Sequence, residues 1–309
     1  MRFAVMGAGG VGGFFGGRLA RVGEEVVFIA RGEHLRALRE SGLQVESVDG
    51  DFVVAPVEAT DDPAAPGPVD AVLVGVKAWQ VGEAARAMRP LVGSQTTVLP
   101  LQNGVEAAAQ LAEVLGPEPV VGGLCRVIAE RTGPGQIRHG GAEPYVALGE
   151  LDNRRSERLE RLRQAFEGAG VTAEIPADIH VALWEKFLLI ASISGVGAVT
   201  RASLGTVLSV PETRDLLEGA MREVLTLARA RGVALAAEVV PRTLAFFESL
   251  PTEGTASMQR DVVAGRPSEL ESQNGAVVRL GREAGVATPV HAFLYASLLP
   301  QELRARGAG

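Results

Sequence analysis

Met1-Arg2-Phe3-Ala4-Val5-Met6-Gly7-Ala8-Gly9-Gly10-Val11-Gly12 is the stretch that decides the fold. An apolar run with the character of a buried strand passes into a Gly-x-Gly-x-x-Gly loop, and a helical pattern follows at Val11, Phe14, Phe15, Leu19 and Val22, closed by Gly23. Each glycine has a task in such a turn. Gly7 allows the chain to leave the strand sharply, Gly9 lets the backbone approach a pyrophosphate, and Gly12 lets helix and strand pack closely. The N–H groups of the loop and helix start, from Gly7, Ala8, Gly9, Gly10, Val11 and Gly12, then face the phosphates of a dinucleotide. The next strand, Glu25 to Ala30, ends at Arg31, where an NAD site usually carries a carboxylate for the ribose diol. An arginine there suits a 2′-phosphate instead, so NADP(H) is the expected cofactor.

Outward from this loop, strand and helix patterns alternate. Helices are expected at 10–22, 82–92, 105–114 and 154–168, and strands at 1–6, 25–30, 43–48, 52–57, 69–76, 96–101 and 171–175. Further strand-like segments at 119–129 and 136–148 are expected to extend the same sheet. Val69 to Val76 is almost continuously apolar, as in a strand covered on both faces. From Pro176 onward only helical patterns remain, at 178–194, 212–231, 235–249, 255–264, 268–285 and 290–299. The expected fold class is therefore α/β: a Rossmann-type doubly wound sheet domain over 1–176, followed by an all-α domain over 177–309 that binds substrate and supports dimerisation. A cleft between the two is the expected substrate site.

Composition narrows the class. The 309 residues are 47% hydrophobic and 22% charged, with a net charge of −7, so neither nucleic acid nor an anionic membrane is an expected partner. The longest apolar stretch, Phe187 to Thr200, is too short to cross a bilayer comfortably and reads as a buried helix. The first apolar run is already the first strand, so no leader is visible, and one cysteine, Cys125, permits no internal disulfide; the cytoplasm is the expected compartment. His34, His139, His180 and His291 lack ligand spacing, and no metal is expected.

Several polar residues stand where chemistry would need them. Lys77 and Asn103 follow directly on the apolar strands 69–76 and 96–101, at the carboxyl ends where ligands of such sheets bind. Lys186 lies inside an otherwise apolar helical run, where an ammonium must snorkel to water or face a polar cavity; in the second case it is a proton donor. Glu185 points away from it on the helix. Ser257 and Asp261 share a helix face, as do Glu269 and Gln273.

The whole chain resembles the ketopantoate reductase (2-dehydropantoate 2-reductase) family. The resemblance rests on the glycine loop, Val76-Lys77-Ala78-Trp79-Gln80, Leu101-Gln102-Asn103-Gly104, Pro134-Gly135 through His139-Gly140, Trp184-Glu185-Lys186, Ser257-Met258 with Asp261, and Glu269 with Asn274-Gly275. It implies NADPH-dependent reduction of 2-dehydropantoate to (R)-pantoate, in pantothenate and coenzyme A biosynthesis. It implies Lys186 as proton donor, Asn103 at both cofactor and substrate, Ser257 at the substrate, Glu269 as a catalytic and cofactor residue, and Lys77 and Ala129 along the nicotinamide. The chain departs from the pattern at Ile190 and Ser194, four and eight residues after the lysine, where classical members carry asparagine. These positions still line the expected substrate wall, now less polar. Two further readings follow: a paralogue that reduces a different, less polar 2-oxo acid, and a non-catalytic NADP-binding regulator. Exposed helix faces in the second domain are compatible with a homodimer.

Overall fold

A computed structural model describes residues 1–141 and 143–307. By internal contacts the chain divides into two units, Met1–Gln102 with Glu106–Ile179, and Asn103–Val105 with His180–Gly309.

In the first unit, β1 (Arg2–Met6), β2 (Glu25–Ile29), β5 (Glu58–Thr60), β6 (Ala71–Val74) and β7 (Thr97–Pro100) form one parallel sheet in the order β5-β2-β1-β6-β7. Alternation along β1 serves two cores. Phe3 and Val5 join Phe14, Phe15 and Leu19 of α1 (Gly10–Arg21) on one face. Ala4 and Met6 join Val81, Ala84, Ala85 and Leu111, from α3 (Val81–Ala87) and α4 (Ala107–Leu115), on the other. Both faces being covered is why these strands read as continuous apolar runs. Each fully buried Phe contributes about 1.5–3 kcal/mol. Val22 departs from the expected stripe, being half exposed just beyond the end of α1.

The remaining strands build two further sheets instead of extending the first. β3 (Leu43–Ser47), β4 (Phe52–Val54), β9 (Ala129–Gly133) and β10 (Gln136–His139) pair in the order β4-β3-β10-β9. β8 (Gly122–Arg126), β11 (Tyr145–Gly149) and β12 (Thr172–Glu174) pair in the order β12-β11-β8. A single parallel bridge, Val98 to Val120, ties the third sheet to β7. The segment before β8 meets the edge of β7 at one position only, and β8 then pairs antiparallel with β11, so the expected extension of the first sheet does not form. A helix absent from the sequence reading, α2 (Gly32–Ser41), separates β2 and β3 and buries His34, Leu35 and Leu38. α5 (Glu157–Gly168) starts at Ser156, whose hydroxyl accepts the Leu159 N–H, and buries Leu159, Leu162 and Phe166.

The second unit is helical: α6 (Ile179–Thr200), α7 (Leu204–Ser209), α8 (Pro211–Ala230), α9 (Val239–Glu248), α10 (Ser257–Val263), α11 (Ala276–Ala284) and α12 (Pro289–Ala305). The stretch expected as one helix over 268–285 instead opens with a π-helical turn, Glu271–Gly275, before α11. The apolar run of α6 belongs to a helix of 22 residues, long and apolar enough to cross a membrane by length and composition. Two thirds of its most apolar window is nevertheless buried within the protein, and Trp184, Phe187, Leu188 and Ala191 lie in the helical core. Buried Glu223 accepts the N–H groups of Val290 and His291 at the start of α12 and contacts His291 Nδ1 at 2.8 Å.

Candidate active site

The glycine loop has the geometry its sequence demands. Gly7 sits at φ +98°, and a Cβ there would lie 2.7 Å from Val76 Cγ1. A Cβ on Gly12 would lie 2.2 Å from the Gly7 carbonyl oxygen. At Gly9 the same test meets nothing within 4 Å. The loop is therefore crowded where it packs and open at the residue that would face a pyrophosphate. Gly9 is also the N-cap of the 12-residue α1 and offers no side-chain cap, so the first N–H groups of α1 have no side-chain partner there. This chain fits a dinucleotide.

Ala129 of β9 lies against the loop: a Cβ on Gly10 would come within 2.3 Å of its carbonyl oxygen. A second contact from that sheet was not legible in the sequence. His34 of α2 lies between Ala8 O (2.7 Å from Nε2) and the Gly135 N–H, which donates to Nδ1 at 2.9 Å. These partners fix the neutral tautomer with the proton on Nε2. Burial lowers the pKa of His34; the Ala8 carbonyl opposes this, and the Arg131 charge adds to it. The apolar spacing of Leu35 and Leu38 before Gly42 was the signal that would have exposed α2 and placed His34 beneath the loop.

Arg31, the N-cap of α2, is largely exposed and lies 3.5 Å from Glu83 Oε1, itself exposed. Such a pair is weak, so the guanidinium can turn to a phosphate at little cost. Lys77 is exposed, with its ammonium 5.8 Å from the centre of the Trp79 ring. Gln102 donates from Nε2 to Val74 O (2.7 Å) and Val76 O (2.9 Å), holding the end of β6 that delivers Lys77.

In the helical unit, Asn103 Nδ2 donates to Glu269 Oε2 at 3.2 Å. Gln273 Nε2 approaches the same oxygen at 3.5 Å, as expected of residues four apart on one face, and Glu269 is buried. Asn274 Nδ2 donates to Ala191 O of α6 at 3.0 Å. Lys186 is half-buried on α6 between buried Trp184 and Phe187, Ile190 is half-buried, and Ser194 is buried. Glu185 is held by an ion pair with Arg242. Ser257 is exposed at the start of α10, and Asp261 engages Arg266 at 2.8 Å. Cys125 is buried, its Sγ 3.5 Å from Leu101 O. Among the described residues no three His, Cys, Asp or Glu side chains cluster as a metal site.

A parallel sheet with a capless glycine turn at its first strand, joined to a helical unit with a buried carboxylate–amide pair, defines a two-part dinucleotide-binding protein. Residues 3–153 match the family description "Ketopantoate reductase PanE/ApbA", and residues 178–302 match its C-terminal counterpart. A 2-dehydropantoate 2-reductase of Halobacterium salinarum is 34% identical over 94% of this chain and 95% of its own. The crystal structure of a 2-dehydropantoate 2-reductase from Geobacter metallireducens superposes with a TM-score of 0.91 at 33% identity, covering 97% of this chain and 99% of that one. A D-mandelate dehydrogenase in complex with NADH superposes with a TM-score of 0.88 at 25% identity, covering 99% and 100%. The chain belongs to the ketopantoate reductase family. It is accordingly an oxidoreductase of CH–OH groups that works with a nicotinamide dinucleotide, NADP being the usual one in the family.

Proposed function

We propose that the chain reduces 2-dehydropantoate to (R)-pantoate with NADPH. The observation that supports this most directly is the Asn103–Glu269 hydrogen bond, which joins two residues 166 positions apart that the family resemblance assigns to one site. The glycine loop and Arg31 hold the dinucleotide, with Lys77 and Ala129 along its nicotinamide half. The nicotinamide, when bound, supplies the hydride that reaches the keto carbon. Lys186 donates a hydrogen bond to the keto oxygen, stabilises the charge that grows there, and then releases a proton to the alkoxide. Asn103 orients the acceptor and Glu269 anchors the cofactor, while Ser257 binds the remainder of the acid.

Ile190 favours a second reading: the same reaction on a less polar 2-oxo acid. A hydrophobic wall discriminates by roughly 10- to 200-fold per methylene, whereas a lost polar contact can cost far more for a hydroxylated substrate. NADPH oxidation with 2-dehydropantoate and a panel of apolar 2-oxo acids separates the two. The expected result is turnover of 2-dehydropantoate, with Lys186→Ala lowering kcat by about 10²–10⁴. Turnover of another acid alone would transfer the assignment to the second reading. No turnover with any acid would leave a dinucleotide-binding regulator.

A further inference from the structure

Ser268, the residue before Glu269, has its N–H, hydroxyl and carbonyl all taken up by one ion pair on α12. Glu302, buried to 5% exposure, accepts the Ser268 N–H at 3.1 and 3.0 Å and the Ser268 hydroxyl at 2.6 Å. Arg306, one turn further on at the C-cap of α12, donates from Nε to Glu302 Oε1 at 2.6 Å and from Nη2 to the Ser268 carbonyl at 2.9 Å. The Ser268 hydroxyl oxygen also accepts the Leu270 N–H at 3.3 Å. A buried carboxylate is tolerated only with partners of this kind, so the clasp forms as a whole or not at all.

We infer that Glu302 and Arg306 are positioning residues for Glu269. The segment is buried, with Leu270 packed against Met258, Val262 and Leu298, and its next turn is the π-helical Glu271–Gly275, a wider winding that recurs at functional sites, so polar contacts at its two ends add direction to that packing. It is also pinned at both ends. Asn274 bonds to Ala191 O at the far end, and the Glu302–Arg306 clasp grips the near end. With Ser268 held on all three polar groups, the backbone direction into Glu269 is set, and so is the carboxylate that receives Asn103 Nδ2. The inference rests on the cofactor-anchoring role proposed for Glu269.

The test is a double-mutant cycle read by NADPH dissociation constant, kcat, KM and Tm. Glu302→Gln keeps the side-chain size but releases Arg306; Arg306→Lys, a milder change, keeps the charge without the fork. Expected are a weakening of NADPH binding by about tenfold for Glu302→Gln, with any loss in kcat/KM up to about a hundredfold. A smaller loss is expected for Arg306→Lys than for Arg306→Ala, and almost no additional loss when Glu302→Gln is added to Glu269→Gln. A lower Tm with unchanged NADPH affinity, kcat and KM would overturn the inference, as would full additivity with Glu269→Gln. If Glu269→Gln itself changes neither NADPH affinity nor turnover, the role of Glu269 fails first and the clasp loses its purpose with it.

Discussion

Arg31 is the residue we propose to hold the 2′-phosphate of the second ribose. Its exposed pairing with Glu83 adds little to stability, so its substitution should be nearly silent in the free protein. Removing a charge-assisted contact with a 2′-phosphate costs about 1.5–3 kcal/mol, so Arg31→Ala should raise the KM for NADPH roughly 10- to 100-fold. NADH should be affected much less. Parallel titrations with both cofactors measure the difference, and equal losses would detach Arg31 from the phosphate. At this scale the sequence was most informative where the physics is local. Gly7 and Gly12 are required by a positive φ and by contacts under 3 Å to chain nearby in sequence or strand order, and both were legible. The union of Asn103 with Glu269 was not: no short-range pattern encodes a contact across 166 positions, and only the family resemblance pointed to it. Ile190 lies between these cases, since its identity is plain while its consequence depends on what it faces.

Helices and strands were read well where one periodicity ran uninterrupted, as in α1 and α8, whereas α6, apolar on all sides, continues to Thr200, past the expected end at 194. α2 was missed because only Leu35 and Leu38 carry its stripe, between two strands that dominate the local pattern. The 268–285 segment kept its helical character but not its winding, because a π turn leaves no period long enough to detect. The two smaller sheets were misassigned for a related reason: alternation identifies a strand and says nothing about which edge it joins. α2 also carries a pH prediction. His34 titrates below the usual 6.5 in the folded state, so as pH falls through that range the unfolded chain binds protons first. Stability from this histidine is complete above about pH 6.5 and declines toward lower pH. Protonation would remove the acceptor for the Gly135 N–H and loosen the turn beneath Ala8. Urea titrations between about pH 7 and pH 5 should show a shallower decline for His34→Gln than for the parent chain. Identical slopes would exclude His34 as their source.

As a whole the molecule keeps the cores of its two units separate, and the dinucleotide loop belongs to the first. Binding to the folded state alone stabilises by about 2.7 kcal/mol at a hundredfold excess over Kd. Calorimetry should therefore show NADPH raising the transition that melts the first unit by a few degrees, and NADH at equal concentration raising it less. A scan with no transition moved by either nucleotide would remove the glycine loop from cofactor binding. One feature of the chain's course reaches beyond energetics. Asn103–Val105 groups with the helical unit although the residues on both sides group with the sheet unit, and Val105 packs on the helical core. The two family segments, 3–153 and 178–302, are thus not interchangeable modules. A chimera of this chain spliced near residue 178 would take Glu269 from one parent and the backbone that carries Asn103 and Val105 from the other, so a splice that moves Asn103–Val105 together with the second segment keeps this chain's own fit between them.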